Sequence, residues 1–464
     1  MVNLDYCPED TIAAISTPPG EGGIAIVRIS GKEALKIAAR VFRGKVSPAK
    51  AESHTVHLGK IVHPDSGEKI DEVLLTVMRS PKTYTGEEVV EVNCHGGLLV
   101  SRKVLEATIS AGARLAHPGE FTLRAFVNGR LDLSQAEAVA EIVQAKSDLA
   151  LKAAQEQLAG GLSSRIGEMR GKLIDFLAQL EAEIDFPEEE IEKVDAALSL
   201  SAIETLKGEC ERLLDSYEVG ETLRHGFSVV IAGRTNVGKS SLLNKLLESE
   251  RAIVTSLPGT TRDVISEYLD LSGLPVRLID TAGLRPASGE IENLGILKTE
   301  EEIKKADLVL LLFDASEKPN EEDKEAFRTI SGHRFLPVIN KIDIASQENV
   351  EALEREFGNQ SSIKISALYG TNLDTLKQAI RKSATFLEEW HQQRLVSINS
   401  RHREALLRAK ESLLCAERGL AGRLSSEFIA AEVRSTLRHL GEIVGETVDE
   451  EILNRIFEKF CIGK

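Results

Sequence analysis

The stretch FSVVIAGRTNVGKSSLLNKLL, residues 227–247, decides the fold of the middle of the chain. Its first six residues are mostly apolar and β-branched, which is typical of a strand, and SLLNKLL has a helical pattern. The loop between them is GRTNVGKS, Gly233–Ser240. Its glycines let backbone amides point at phosphate oxygens, Lys239 can reach the β- and γ-phosphates, and Ser240 can ligate magnesium. The strand–loop–helix context predicts a phosphate-binding P-loop.

Two further motifs concern the terminal phosphate and the metal. Asp280–Gly283 (DTAG) follows an apolar run, so that Asp280 can lie close to the magnesium ion without ligating it directly. The amide of Gly283 then lies near the γ-phosphate. Thr260 and Thr261 stand between the P-loop and this motif, where a switch threonine closes over the metal. The order of these motifs predicts hydrolysis of a nucleoside triphosphate.

The remaining two motifs select the base. Asn340, Lys341 and Asp343 end a fourth apolar run, and Ser366–Leu368 follows a fifth. The carboxylate of Asp343 can accept two hydrogen bonds from N1 and the exocyclic amine of guanine, a donor pair that adenine lacks. The second motif supports the base. Five motifs in this order indicate a GTPase rather than a general ATPase.

The predicted contacts follow directly from these motifs. Magnesium ligation is predicted for Ser240 and Thr261, and Lys239 is a predicted catalytic residue. The residues of these motifs predicted to bind GTP are Asn236, Val237, Gly238, Lys239, Ser240, Ser241, Thr260, Thr261, Asp280, Thr281, Ala282, Gly283, Asn340, Lys341, Asp343, Ser366, Ala367 and Leu368.

One position departs from the Ras-like pattern. Leu284 follows the DTAG motif, where a glutamine would orient the attacking water. An apolar side chain cannot do so. Another group must therefore hold the water and neutralise the charge of the transition state.

Outside the nucleotide motifs, composition limits the class of protein. A chain of 464 residues is too long for one core, and its formal charge of −16 argues against a surface that binds nucleic acid everywhere. Its five cysteines are scattered, without a CxxC pair, so neither a disulfide framework nor a zinc site is expected. No apolar run approaches the length of a membrane span and no signal peptide is evident, which predicts a cytoplasmic protein.

The chain divides into four segments by pattern. Residues 1–120 combine short β-branched runs at 11–17, 23–30, 72–79 and 87–94 with a helix at 97–111, which predicts an α+β domain. Residues 225–386 alternate apolar runs with helical stretches, as in a mostly parallel α/β sheet. Residues 121–224 and 387–464 are helical in pattern, with a capping box expected at Ser134 and Glu137. Each offers an apolar stripe that needs a partner, so we expect the two to pack together as one interrupted all-α domain.

Several stretches together resemble the MnmE (TrmE) family of tRNA-modification GTPases. They are TPPGEGGIAIVRISG (17–31), YTGEE (84–88), HGG (95–97), HPGEFTLRAFVNGRLDLSQAEA (117–138), DFPEEE (185–190) and the terminal FCIGK (460–464). The resemblance covers essentially the whole chain. It implies an N-terminal folate-binding and dimer-forming domain, a helical domain in two pieces, and a Ras-like GTPase domain inserted between them.

The resemblance also implies a function. Homodimers in this family work with the flavoprotein MnmG, in a heterotetramer, on certain tRNAs. Together they add an aminomethyl or carboxymethylaminomethyl group to C5 of the wobble uridine, position 34. The one-carbon donor is a tetrahydrofolate derivative, 5-formyl- or methylene-tetrahydrofolate. GTP hydrolysis drives a conformational change rather than the carbon chemistry.

Family positions account for the missing glutamine. Asn236, Thr255, Leu257 and Thr260 match the positions that hold a potassium ion beside the phosphates, and Leu257 can contribute only its carbonyl. The resemblance thereby extends the predicted GTP contacts to Thr255, Ser256, Leu257, Pro258 and Gly259. That ion supplies the positive charge of an arginine finger. Glu292 matches the glutamate that orients the water. From the residues alone, Asn236 could equally stabilise its loop, and Glu292 would be an exposed helix acid.

A second site is implied in the N-terminal domain. By the resemblance, positions that contact the folate are matched by Arg28, Glu91, Arg130 and Lys464. The chemistry suits this role, since a glutamate can bind the N–H groups of a pterin and an arginine can bind the carboxylates of a folate. Many relatives carry lysine where this chain has Arg130. Without the resemblance these would be ordinary surface charges, and His95 of the CHGG stretch a structural histidine.

Two roles remain open for Cys461, near the end of the chain. As a thiolate it could attack C6 of uridine, or it could be a packing residue, an alternative that the flanking Phe460 and Ile462 favour.

Two other classes of protein also stay open. One is a ribosome-assembly GTPase of the Era or EngA type, which shares the nucleotide motifs but adds an RNA-binding appendage. The other is a folate-dependent one-carbon enzyme with a regulatory GTPase domain.

Overall fold

The computed structural model describes most of the chain. The described residues are 9–186, 196–249, 266–280, 301–330, 332–358, 362–384 and 396–464. The strands are β1 Ile12–Ile15, β2 Gly22–Ser30, β3 Phe42–Gly44, β4 Thr55–Val62, β5 Lys69–Met78, β6 Val89–Gly96, β7 Arg114–Leu115, β8 Phe227–Ala232, β9 Ser266–Leu271, β10 Leu274–Asp280, β11 Leu308–Asp314, β12 Phe335–Asn340 and β13 Ile363–Lys364.

The helices occupy the intervening and terminal segments. They are α1 Ala34–Val41, α2 Leu98–Ser110, α3 Glu120–Val127, α4 Leu133–Gln144, α5 Asp148–Leu158, α6 Gly161–Asp185, α7 Ala196–Asp215, α8 Tyr217–His225, α9 Lys239–Ser249, α10 Glu321–Thr329, α11 Gln347–Leu353, α12 Leu373–Ser383, α13 Ser400–Ala421, α14 Ser426–Val444 and α15 Glu450–Phe457. Among the helices of the described ranges, none is long and apolar enough to cross a membrane.

Internal contacts divide the chain into two compact units. The first comprises Met1–Ala140, Gln157–Leu206 and Arg408–Lys464, and the second comprises Glu141–Glu156 and Lys207–Leu407. The mixture of α/β and all-α parts is the predicted fold class. The four-segment division of the sequence, with its borders, stays a prediction.

The first unit contains a seven-stranded sheet in the order β3-β4-β5-β6-β2-β1-β7. All neighbours are antiparallel except β1 and β7. The predicted strands correspond to β1, β2, β5 and β6. Prediction missed β4, since its alternating half-buried and exposed positions carry no buried apolar run. Helices α1 and α2 cover the buried face, where Val27, Ile29 and Val92 are fully buried.

The helical part of the first unit is built on α6 and α14. Arg434 of α14 bonds Glu181 of α6 at 2.7 Å, and Ser426 bonds Glu183 at 3.0 Å. One helix of each predicted helical segment, α6 and α14, therefore packs against the other. The predicted capping box at Ser134 is wrong. Asp132 and Gln135 make the reciprocal bonds instead, because α4 begins two residues earlier than the Ser134–Glu137 spacing suggests.

The second unit contains a six-stranded sheet in the order β13-β12-β11-β8-β10-β9. Its strands are parallel except β9, which pairs antiparallel with β10. Every residue of β11 is buried, as expected for a strand covered on both faces. Sequence patterning missed β9. It joins β10 through Ser272 and Gly273, whose positive φ angles of 52° and 96° suit a tight two-residue hairpin.

The core of this second unit also includes residues outside the nucleotide motifs. Leu149, Ala150 and Ala153 of α5 belong to the same apolar cluster as the strands of the sheet. A Cβ on Gly273 would lie 3.0 Å from Leu149 Cγ, so the hairpin turn and α5 are in close contact. Arg224 at the end of α8 donates to Glu141 at 2.5 Å and to the carbonyl of Ile398 at 2.7 Å.

Candidate functional site

The phosphate loop lies between β8 and α9. Gly233 has a φ of +143°, and a Cβ there would approach the carbonyl oxygen of Leu312 to 2.6 Å, so only glycine fits. Gly238 is also constrained, because a Cβ there would lie 2.4 Å from the side-chain nitrogen of Asn340. Asn236 itself has a φ of +63°. The loop therefore has backbone conformations that glycine and asparagine adopt more readily than other residues.

Lys239 and Ser240 begin helix α9. The Lys239 ammonium group donates to the carbonyls of Gly233 at 2.9 Å and Arg234 at 2.7 Å, so its side chain curls over the loop. Ser240 is exposed in the first helical turn. A hydroxyl at that position suits magnesium ligation, and the helix N-terminus favours the negative charge of a phosphate.

The base motif is tied to the phosphate loop. The Asn340 side chain donates to the carbonyl of Val237 at 2.8 Å and accepts from the amide of Ala367 at 2.9 Å. One buried amide thus links three of the five predicted motifs. Asp343 is exposed, and its carboxylate has no hydrogen-bond partner within the described part of the chain. It is free to accept hydrogen bonds from a base.

Several predicted contacts cannot be placed. Asp280 ends β10, directly opposite Ile231 of β8. The remaining predicted residues lie outside the described ranges; they are Thr255, Ser256, Leu257, Pro258, Gly259, Thr260, Thr261, Thr281, Ala282, Gly283 and Glu292. Of the predicted potassium positions, the structure describes Asn236 alone.

A second candidate site lies on the first unit. Arg28 Nε donates to the Glu91 carboxylate at 2.8 Å, and Arg28 Nη1 lies 3.4 Å from the carbonyl of Gly463. The guanidinium also stands over two rings, 5.5 Å from the centroid of Tyr84 and 5.6 Å from that of Phe121. Charged groups that can bind an amidic ring system therefore lie beside aromatic surface. Burial raises the pKa of Tyr84, so its phenol stays neutral and bonds Thr122 at 2.8 Å.

A buried ionic network supports α3 next to Phe121. Arg124 is fully buried and pairs with Glu120 and Glu87, each at 3.1 Å. Arg114 holds Glu120 from the other side at 2.7 Å. Burial opposes ionisation of Glu120, but bonds from Arg114 and the His117 amide outweigh it, so its pKa lies below the usual value.

The other predicted residues of this site are partly brought together. Lys464 is half-buried in the last turn, its amide donating to the Cys461 carbonyl at 3.3 Å. Arg130 lies in the turn after α3 with an exposed side chain. His95 is exposed and bonds Asp71 at 2.8 Å. The thiol of Cys461 is exposed, contrary to the burial that its apolar neighbours favour.

Sequence reasoning missed three parts of this second site. Tyr84 and Phe121 lie within the quoted YTGEE and HPGEF stretches but were given no role of their own. Gly463 has a φ of +95°, and a Cβ there would lie 2.4 Å from the carbonyl of Ile15. A glycine one residue before the end of the chain was the available signal.

The fold and the first site define the class of the protein, a multidomain P-loop GTPase with guanine-recognition motifs. Residues 11–130 match the model of the GTP-binding protein TrmE N-terminus, and residues 133–461 match that of the MnmE helical domain. The chain belongs to the MnmE family of tRNA-modification GTPases.

Individual relatives match over nearly full length. The tRNA modification GTPase MnmE of Carboxydothermus hydrogenoformans is 46% identical over 459 residues, covering 98% of this chain and 100% of that protein. The protein of the same name from Thermoanaerobacter pseudethanolicus is 44% identical over 457 residues, covering 98% and 99%. A solved structure of Era with MgGDPNP and ribosomal RNA matches 34% of this chain and 56% of that one, at 27% identity and a TM-score of 0.27. The full-length matches fix the family.

Proposed function

We propose that this chain is a potassium-stimulated GTPase that acts with a flavoprotein partner, MnmG, on C5 of the wobble uridine of certain tRNAs. A tetrahydrofolate derivative is the one-carbon donor, and GTP hydrolysis drives a conformational change. The observation that carries the proposal is the pairing of Arg28 with Glu91 beside Tyr84, in a chain that also holds the guanine-nucleotide motifs.

The folate would bind through groups of complementary chemistry. The Glu91 carboxylate can accept from the N–H groups of a pterin, and Arg28 can donate to its carbonyl or to a carboxylate. The rings of Tyr84 and Phe121 offer aromatic surface beside both. Arg130 and Lys464 would contribute further positive charge. The folate supplies the one-carbon unit, and these residues bind and orient it.

The GTPase site would divide its tasks among residues of the motifs. Ser240 and Thr261 would ligate magnesium, and Asn236 with Thr255, Leu257 and Thr260 would hold potassium. Asn236 supports this assignment, since its left-handed backbone lies in the phosphate loop. Glu292 would orient the attacking water, the task that Leu284 cannot perform.

We further propose that the N-terminal domain forms a homodimer. The apolar side chains of Val56 and Leu58 on β4, 59% and 65% exposed, lie on one sheet face, and Leu74 of β5 pairs directly with Leu58. A second copy of this chain would cover them. Leu58→Asp should yield monomers in light scattering, with Leu198→Asp, at an exposed position of α7, as the control. A Leu58→Asp dimer would contradict this proposal.

Analysis of tRNA nucleosides tests the whole proposal. Deletion of the gene should abolish the C5 modification of wobble uridine, wild-type chain should restore it, and Lys239→Ala should not. Circular dichroism checks that the Lys239→Ala variant folds like the wild type. If the modification persists in the deletion strain, this chain is not the enzyme that makes it, and the proposed function is wrong. The regulatory one-carbon enzyme considered above would then remain.

A further inference from the structure

The phosphate loop and the base motif are joined by a second, charged connection. Arg234 is the second residue of the phosphate loop, and Asp314 ends β11, the strand next to β8. Lys341 belongs to the base motif and donates to Asp314 at 2.5 Å. The Arg234 guanidinium approaches the same Asp314 oxygen, Oδ2, to 3.9 Å. One carboxylate therefore stands between two loops that must bind opposite ends of a nucleotide.

Each partner of this connection is fixed by its surroundings. Asp314 is 6% exposed, and its other oxygen accepts from the amide and hydroxyl of Ser316 at 2.9 and 2.6 Å. Arg234 also pairs with Glu317 at 2.7 Å and lies 3.3 Å from buried Asp323. Burial opposes ionisation of Asp314, but the bonds from Lys341 and Ser316 lower its pKa below the usual value.

Lys341 needs such an anchor. Its φ is +62°, a left-handed conformation that is unfavourable for a residue with a Cβ. Among the described residues, Asn340 joins the two loops through the carbonyl of Val237, a bond that does not involve the Lys341 side chain. Two loops held at a fixed separation bind a bridging ligand without first losing conformational freedom.

We infer that Asp314 is a positioning residue for guanine-nucleotide binding, which holds Lys341 of the base motif in register with Arg234 of the phosphate loop. The inference rests on the nucleotide site described above. It assigns Asp314 no contact with the nucleotide. GDP and GTP should depend on it equally, because they share the base and differ only at the γ-phosphate.

Affinities for GDP and a nonhydrolysable GTP analogue, measured on the full chain, test this role. Asp314→Asn should weaken both by about tenfold, the size of one lost charge-assisted bond. Glu317→Gln removes the exposed partner of Arg234 but keeps Asp314, and it should change both by less than about twofold. Affinities of Asp314→Asn that equal those of the wild type would overturn the inference.

A double-mutant cycle separates positioning from a general structural effect. Lys341→Met keeps the apolar stem without the charge, and should also lose about tenfold. Because Asp314 acts through Lys341, the Asp314→Asn/Lys341→Met double variant should be no weaker than the weaker single variant. A product of the two losses, about a hundredfold, would contradict the inference.

Conservative replacement covers the case in which Asp314→Asn does not fold. Lys341→Arg can still pair with Asp314 and should lose several-fold less affinity than Lys341→Met. Equal losses for Lys341→Arg and Lys341→Met would show that the charged connection is irrelevant. Wild-type protein that binds no guanine nucleotide would refute the site itself, an outcome distinct from failure of this inference alone.

Discussion

Arg28 Nη1 lies 3.4 Å from the carbonyl oxygen of Gly463, so the second strand of the chain contacts its penultimate residue. The backbone of that residue passes close to Ile15 and Ser16 as well. The backbone of Gly463 in the C-terminal turn is therefore part of the Arg28–Glu91 site.

Gly463→Ala should displace the C-terminal turn. The added Cβ would lie 2.4 Å from the Ile15 carbonyl and 2.9 Å from Ser16 Cα, at a φ of +95°. Strain of this kind costs roughly 1–3 kcal/mol, so affinity for 5-formyl-tetrahydrofolate should fall about tenfold in equilibrium titration. Gly171→Ala in α6, where a Cβ meets nothing within 4 Å, is the matched control and should leave folate affinity intact. If Gly463→Ala binds 5-formyl-tetrahydrofolate as tightly as the wild type, the C-terminal turn does not contribute to folate binding.

Arg28→Lys should weaken folate binding despite conserving charge. A lysine cannot donate to Glu91 and Gly463 in the same planar geometry, nor stack on Tyr84 in the same way. We expect a loss of about tenfold or more in the same titration. Arg102→Lys, at an exposed ion pair with Glu106 in α2, provides the control. Equal affinities of Arg28→Lys and wild type would mean that positive charge alone suffices.

The parts of this molecule that the sequence predicted are those with local signals. The P-loop, the Asn340–Asp343 motif and the strands β8, β11 and β12 follow from glycines and apolar runs within a few residues of each other. The contact of Arg28 with Gly463 spans 435 residues, and no local pattern encodes it. Strand β4 was missed because exposed positions interrupt its apolar pattern, and strand β9 because polar residues separate the apolar ones in its sequence SEYLDL. The apolar neighbours of Cys461 favoured a buried thiol, but it is exposed, since apolar neighbours in the sequence do not determine which way a single side chain points.

Asp343→Asn should change base preference. A carboxylate accepts from the N1 and amine protons of guanine, whereas xanthine has a carbonyl in place of the amine. An asparagine amide can donate to that carbonyl. Competition binding should show GDP affinity reduced by about a hundredfold and xanthosine diphosphate preferred, since buried unpaired polar groups are costly. Retained preference for guanine would refute the role assigned to Asp343.

Replacement of potassium by sodium should slow GTP hydrolysis severely at constant magnesium. The proposed ion beside Asn236 must match the spacing of its ligands, so rubidium, of similar size, should substitute. We expect a loss of about a hundredfold in sodium, comparable to removal of one group that stabilises the transition state. GDP affinity, measured in both salts, serves as the control. Similar hydrolysis rates in sodium and potassium would exclude the ion from catalysis.

Glu120→Gln should destabilise the protein in a pH-dependent way. Removal of the charge leaves buried Arg124 undercompensated, which costs roughly 3 kcal/mol near neutral pH. The lowered pKa of Glu120 means that its stabilisation is present above the unfolded-state value of about 4.3 and is lost as pH falls through the folded-state value. The difference in urea midpoint between variant and wild type, followed by circular dichroism, should therefore be large at pH 7 and shrink in acid. If the difference in urea midpoint does not change with pH, the destabilisation of Glu120→Gln comes from altered packing rather than from the lost charge.

The packing of α5 against the hairpin of β9 and β10 has a consequence for modularity. A GTPase domain excised at its sequence motifs, residues 225–386, would lose Leu149 from the turn at Gly273, together with Ala150 and Ala153 of the same core. It would also omit Arg224, the residue that bonds both Glu141 and the carbonyl of Ile398. Such a fragment would expose to solvent the apolar surface that α5 covers in the full chain. A transplantable version of this GTPase is therefore discontinuous in sequence, and needs residues 141–156 as well as the returning segment at 396–399.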